Sequence, residues 1–286
     1  MILGHRQSRL IKAGHDDWLG LTLDPGQFCV EILKPAAVIE SNFHHEADRA
    51  IRYLADRYCD RPLYLALSGG IDSEFVANLL LKNSIPFRPI ILKIDSFNSL
   101  ESWYAEYWCK QHDIDPIRLS LTTDQYILEM KKYYPYLLKL QNALQTPMMY
   151  LYDYVNQLNG YCIYSAGDIN LDLEEKKFYC YSLDFISDLL NNGHPTSFFM
   201  YTPELALSYV SEFDVNITEQ ENKLNFYNVS PRPKIDYISS LHSCSTVAEV
   251  IDKFWYIGKH QVKSEPYWYG QKEELIKKLV GSNQCQ

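Results

Sequence analysis

Apolar positions recur along the chain in two alternating periods. Over residues 42–58, Phe43, Ala47, Ala50, Ile51, Leu54 and Ala55 share one helical face, with Ser41 or Asn42 as cap and Arg61-Pro62 as stop. A short apolar run follows at 63–67, broken by Ser68-Gly69-Gly70. Residues 74–82 then place Phe75, Val76, Leu79 and Leu80 on one helical face, so the pattern reads strand, glycine turn, helix. A second strand is predicted over 89–94. Asn98, with Glu101 three residues on, predicts a capping box and a helix to about residue 111. A third strand is predicted over 116–121, helices over 124–140 and 147–158, the latter with Pro147 at its first position, and a fourth strand over 161–166 that ends at Gly167-Asp168.

Strands alternating with helices at this spacing predict βαβ units, and hence an α/β fold with a doubly wound parallel sheet and a ligand crevice at the carboxyl ends of its strands. Ahead of it, short alternating pieces at 18–23 and 28–33 around Asp24-Pro25-Gly26 predict a small β element. Beyond Asp168 the pattern changes. An acidic-basic loop is expected over 172–177, a helix entered at Pro203 and running to 213, a polar stretch at 219–223, then Arg232-Pro233-Lys234 and helices over 247–256 and 272–280. The expected division is a β element with lead-in helix over 1–59, a nucleotide-binding α/β domain over 60–175, and a mainly helical region over 176–286 that closes over the crevice.

Composition narrows the classes. A chain of 286 residues that is 47% hydrophobic buries a sizeable core, which excludes disorder as its main state. The balance of 27 Lys+Arg against 36 Asp+Glu, net −9, has the wrong sign for holding nucleic acid through its phosphates. Seven cysteines stand singly, giving neither a disulfide framework nor a zinc pattern, and read as reduced thiols. The first residues lack the apolar core of a secretory signal, and no run reaches the ~18 apolar residues of a spanning helix, so a cytoplasmic protein without a membrane partner is expected. His44-His45-Glu46 is not HExxH and reads as a solvated helix start, while Cys109 beside Trp108 reads as core. The aromatic groups Phe254-Trp255-Tyr256 and Tyr267-Trp268-Tyr269 read first as packing, and otherwise as a substrate wall or a homodimer contact.

The chemistry concentrates in Ser68-Gly69-Gly70-Ile71-Asp72-Ser73. Adjacent glycines allow a tight turn with exposed N–H groups, and these, the Ser68 and Ser73 hydroxyls and the helix N-terminus form an anion cradle suited to phosphate. Two glycines alone describe any strand-to-helix turn. Asp72 argues for more, because an acid inside a phosphate cradle is repulsive unless a divalent cation bridges it to the oxygens, which implies Mg²⁺.

The loop is neither a Walker loop nor a dinucleotide turn. It resembles, residue for residue, the SGGxDS loop of the PP-loop ATP pyrophosphatases, the superfamily of asparagine, β-lactam, GMP and NAD synthetases and of tRNA-modifying enzymes. The resemblance spans roughly residues 60–235 and implies an adenine nucleotide alpha-hydrolase (HUP-like) sheet. It further implies that Ser68, Gly69, Gly70, Asp72 and Ser73 grip the pyrophosphate of ATP. The ends of the first two strands, Lys93 included, hold the adenosine, and an oxygen nucleophile attacks the α-phosphorus. Residues 165–172 look like the GxGxDE segment of asparagine synthetase, so Gly167 and Asp168 join the nucleotide site and Asp168 or Asp172 joins Asp72 on the metal. Ile169 stands where that family has glycine, which leaves open which acid serves. Thr202-Pro203-Glu204-Leu205-Ala206 and Arg232-Pro233-Lys234 resemble the helix entry and lysine loop of amide-forming members, whose lysine neutralises the leaving pyrophosphate. On that reading Lys234 is catalytic beside Asp72, and Lys176, Lys177, Lys223 and Arg232 are the other downstream cations.

Subfamily markers are missing. Ile2 occupies the position of a glutaminase nucleophile, no four-cysteine zinc cluster is seen, and Ile71 stands where sulfate-activating relatives carry lysine. The implied activity is ATP- and Mg²⁺-dependent adenylation of a small-molecule substrate for amide or C–N bond formation. A nucleobase or tRNA modifier and a non-catalytic nucleotide-binding regulator are the alternatives.

Overall fold

The computed structural model describes residues 9–24, 27–37, 42–95, 98–122, 124–126, 128–129, 132, 146–165, 169–172, 177–180, 197–229 and 267–280. The chain divides into two compact units, one of Ile51–Ala166 with Lys223–Gln261, the other of Met1–Ala50, Gly167–Asn222 and Val262–Gln286.

The first unit is built on a four-stranded parallel sheet of β4 (Leu63–Ala66), β5 (Arg88–Ile94), β6 (Ile117–Leu121) and β7 (Tyr161–Ile163), in the order β6-β5-β4-β7. Crossovers run through α2 (Ile71–Lys82), α3 (Ser99–Gln111) and α4 (Thr146–Gln157). This is the doubly wound α/β sheet the alternating pattern predicts. Pro89, Ile90, Ile91 and Leu92 are consecutively buried, as in a strand covered on both faces, and Leu65, Val76, Leu80, Ala105, Trp108 and Ile163 complete the core. All four strands are parallel, so the turns after β4 and β5 leave the sheet at the same edge.

The second unit opens with an antiparallel meander, β1 (Arg9–Ala13), β2 (Leu19–Asp24) and β3 (Gln27–Ile32), one strand more than the alternation shows. Trp18 is buried beside it and donates its indole N–H to the Met200 carbonyl at 3.0 Å. A second antiparallel sheet joins β8 (Ile169–Asp172), β9 (Lys177–Cys180) and β10 (Tyr267–Gln271) in the order β10-β9-β8. Helices α5 (Pro203–Glu212) and α7 (Lys272–Val280) complete this unit. Thr202 caps α5 by accepting from Leu205 N at 3.2 Å, with Pro203 in its first turn. Helix α1 (Phe43–Arg57) and helix α6 (Glu219–Tyr227) each run across the division between the units. At the start of α1, Asn42 rather than Ser41 is the cap, accepting from His45 N at 2.9 Å.

Several expectations are corrected. Helix α2 begins at Ile71, three residues before the start expected at Glu74, which brings Asp72 and Ser73 into its first turn. The capping box at Asn98 does not form: Asn98 Oδ1 accepts from Ile94 N at 2.9 Å and its Nδ2 donates to Leu92 O at 2.7 Å, so the side chain ties the helix start to the end of β5. The acidic-basic loop is narrower than expected, because Asp172 pairs in register with Lys177 at the end of a hairpin. Residues 169–172 alternate apolar and polar, and that period-two signal outweighs their likeness to a glycine-rich loop. Tyr267-Trp268-Tyr269 lie in β10. The polar stretch at 219–223 is the first half of α6, opened by a reciprocal box in which Glu221 N donates to Thr218 Oγ1 at 3.2 Å and Thr218 N to Glu221 Oε2 at 2.8 Å. Of the helix expected over 124–140, residues 124–126, 128–129 and 132 are helical and the rest lie outside the described residues, as does the helix expected over 247–256. His44 and His45 are exposed, and Cys109 is buried in the core, both as read from sequence.

Candidate functional site

The site starts where β4 ends. Leu67 N donates to Ile90 O at 3.0 Å, which holds the exit of β4 against β5, and the chain then turns through Ser68-Gly69-Gly70 into α2. Gly69 sits at φ +89°, in the region that favours glycine, and a Cβ there would collide with the carbonyl oxygen of Glu101 on α3 and lie 3.1 Å from Ala105 N. Sterics therefore demand glycine at 69. The first turn of α3 presses on it, and burial pushes the Glu101 carboxyl up to about 7.

The serines shape the loop from within. Gly70 N donates to Ser68 Oγ at 3.2 Å, Ser73 Oγ donates to Gly70 O at 2.9 Å, and the two hydroxyls lie 3.2 Å apart. Because Ser73 donates to Gly70 O, its oxygen is left to accept the hydrogen bond from the Ser68 hydroxyl. Gly70 is the N-cap of α2 and offers no side chain to the helix, so the N–H groups of its first turn point outward with neither an intrahelical acceptor nor a cap. Such an end suits an anionic oxygen cluster.

Asp72 lies in that first turn. Its carboxylate is held by two residues of α6: Lys223 Nζ lies 3.3 Å from Oδ1 and 3.4 Å from Oδ2, and the Tyr227 hydroxyl donates to Oδ1 at 2.9 Å. Lys223 is buried, with 9% of its side chain exposed against 25% for Asp72. The Tyr227 ring stacks on Phe75 of α2, with centroids 4.5 Å apart and planes at 22°, which locks that end of α6 against the helix carrying Asp72.

Sequence reasoning passed over this role for Lys223, counting it among the downstream cations but favouring Lys234, and it did not single out Tyr227. The signal was present. Asn222, Lys223, Phe226 and Tyr227 are buried and recur at helical spacing, directly behind a Thr-x-x-Glu start. Of the other expected site residues, Lys93 is exposed on β5 in register with Ser120, and Asp172 ends β8 in the second unit. Gly167, Asp168 and Lys234 lie outside the described residues.

The residues present fit a polyphosphate: a glycine position that no side chain can enter, two hydroxyls, an uncapped helix start, and a lysine at its rim. For a metal, Asp72 is one carboxylate. Among the described residues no group of three or more His, Cys, Asp or Glu gathers to hold an ion. A Mg²⁺ ion held through one carboxylate together with substrate phosphate oxygens is consistent with that set, because Mg²⁺ commonly binds in that way and keeps several waters.

The comparisons bear on the same segment. Residues 54–160, from within α1 to the threshold of β7 and including the whole loop, match the asparagine synthase family model. No match was found among curated proteins. Among solved structures, the chain is similar to an NMN synthetase from Francisella tularensis, at 15% identity over 78% of this chain and 96% of that one, with a TM-score of 0.37. It is also similar to an NH3-dependent NAD synthetase from Campylobacter jejuni, at 16% identity over 78% and 93%, with a TM-score of 0.34. A third likeness is to the U34-tRNA thiolase NcsA from Methanococcus maripaludis, at 15% identity over 85% and 83%, with a TM-score of 0.29. Among the described residues, no helix is long and apolar enough to cross a membrane.

Proposed function

We propose that this chain, a member of the PP-loop ATP pyrophosphatase superfamily and an ATP-utilising ligase-type enzyme, adenylates a small-molecule substrate. A carboxylate or carbonyl oxygen of that substrate attacks the α-phosphorus of ATP, pyrophosphate leaves, and an amine then displaces AMP to form an amide or other C–N bond. The observation that carries the reading is the SGGIDS loop itself, with Gly69 pressed against α3, two serines bracing the turn and an uncapped α2 start.

In this reading the β- and γ-phosphates lie on the outward N–H groups at the α2 start, beside Ser68 and Ser73. Lys93, at the end of β5, lies on the adenosine side. When bound, Mg²⁺ would supply neutralisation of the phosphate charge, and Asp72 would hold it. Lys234 provides the cation for charge building on the leaving pyrophosphate, since the loop carries Ile71 and no lysine of its own. The protein works on a small molecule as a cytoplasmic enzyme.

Incubation with Mg·ATP and a fractionated small-molecule extract tests this. AMP and pyrophosphate form in equal amounts and mass spectrometry finds an adenylated species; release of ADP and phosphate, or ATP binding with no turnover in any fraction, overturns it. Lys234→Ala lowers turnover on the order of a hundredfold while ATP affinity changes far less. An equal loss in both would remove Lys234 from the transition state.

A further inference from the structure

Asp72 already carries a cation. The Lys223 ammonium sits astride both carboxylate oxygens, at 3.3 and 3.4 Å, and the Tyr227 hydroxyl adds a third contact on Oδ1 at 2.9 Å. A carboxylate offers about four lone-pair positions, and three contacts occupy most of them. A divalent ion on the same oxygens would stand within a few ångströms of an ammonium that is 9% exposed, where solvent screens the repulsion poorly. Lysine and metal are therefore exclusive on Asp72. A displaced ammonium is drawn to any anion that arrives beside it, because its charge lies where solvent screens poorly. Ser68, Ser73 and the N–H groups of the α2 start surround the place where phosphate oxygens would supply one.

We propose that Lys223 is an exchangeable counter-ion of the PP-loop: it neutralises Asp72 until metal-bound triphosphate enters, and then passes from the carboxylate to the phosphate oxygens. The proposal rests on the ATP-binding reading above and adds an order of events to it. Metal without nucleotide competes with Lys223 and binds weakly. Metal arriving with triphosphate brings the anion that Lys223 moves to, so nucleotide and metal bind together. Tyr227, fixed by its stacking on Phe75, stays on Asp72 and positions the carboxylate during the exchange.

The test uses Mn²⁺ as the probe, read by loss of its free electron paramagnetic resonance signal, on the full chain without nucleotide. Wild type binds Mn²⁺ at Asp72 weakly. Lys223→Met, which keeps the aliphatic stem, binds it about tenfold more tightly because the carboxylate is released. In the second arm, binding of ATP in EDTA is measured by calorimetry, and Lys223→Met weakens it about tenfold because the phosphates lose their cation. Unchanged Mn²⁺ affinity overturns the exchange, and so does tightened Mn²⁺ with unchanged metal-free ATP affinity. Should Lys223→Met fail to fold by circular dichroism, Tyr227→Phe removes one contact from Asp72 without removing charge. It is expected to tighten nucleotide-free Mn²⁺ binding by two- to threefold, and no tightening counts against the proposal. If wild type binds no ATP at all, the functional reading fails, while the Mn²⁺ arm still reports whether Lys223 occupies Asp72.

Discussion

The two helices that meet at Asp72 begin in opposite ways. Helix α6 closes its own donors: Thr218 and Glu221 exchange hydrogen bonds in both directions, with the Thr218 hydroxyl also donating to Glu221 Oε2 at 2.7 Å. Helix α2 leaves its donors open behind Gly70 and spends its serine hydroxyls on shaping the turn instead. A helix end that satisfies itself is a rigid mount, and α6 uses that rigidity to hold Lys223 and Tyr227, one turn apart, on a neighbouring carboxylate. A helix end that stays unsatisfied keeps N–H groups available to an anion. Helix α3 shows a third use, in which Asn98 ignores its own helix and ties it to β5, so that the Glu101 carbonyl can press on Gly69.

The most severe way to break the open start is Gly69→Ala. Left-handed backbone costs a side-chain-bearing residue about 1–2 kcal/mol and overpacking about 1–3 more, so a loss of about 3 kcal/mol is expected in urea denaturation, together with loss of ATP binding. A variant with wild-type stability would show that α3 yields easily and that the loop is less constrained than its geometry implies. Next in size, Asp72→Asn should leave the chain folded by circular dichroism while weakening the Mg²⁺-dependent part of ATP binding by a factor on the order of a hundred. Unchanged Mg·ATP affinity in calorimetry would take the metal away from Asp72.

The closed start is tested by Thr218→Ala, which removes the hydroxyl partner of Glu221 N and should lower stability by about 1 kcal/mol with an unchanged denaturant slope. If ATP affinity falls as much as it does in Lys223→Met, the mount and the charge act as one unit. The smallest effect is on pH dependence. The Thr218 hydroxyl and N–H lower the Glu221 carboxyl from its ordinary value of 4.5, so its contribution is present above 4.5 and is lost as pH falls through the lower folded value. Glu221→Gln should remove this acid-side loss from the stability profile. An identical acid limb in both proteins would show that the box does not depend on the charge.

Much of the fold was legible in the sequence because it is local. The apolar faces of α1 and α2, the runs of β4 and β5, and Pro147 and Pro203 at helix starts are statements about neighbouring residues, and period and punctuation report them directly. The loop was equally legible, not from Gly-Gly alone, which any strand-to-helix turn can carry, but from Asp72 and the flanking serines beside it. Less visible were the short strand β8, where four alternating residues were overruled by likeness to a loop, its partner β9, too short to show a period, and helix α6, whose Thr-x-x-Glu start lay inside what looked like a polar stretch.

Tertiary structure alone decided the partners. Asn98 and Glu101 have the spacing of a capping box and do not form one, because β5 ends close enough to claim the asparagine. Lys223 stands 151 residues from Asp72, and although its place behind the Thr-x-x-Glu start marks it as helical, nothing along the chain says which acid it meets. Sequence determined that this loop is a tight glycine turn at a helix start and that an acid there calls for a counter-charge. Which cation supplies it depends on a long-range juxtaposition, for no periodicity records which helix will pack beside which, and here the packing of Tyr227 on Phe75 places an ammonium on the carboxylate.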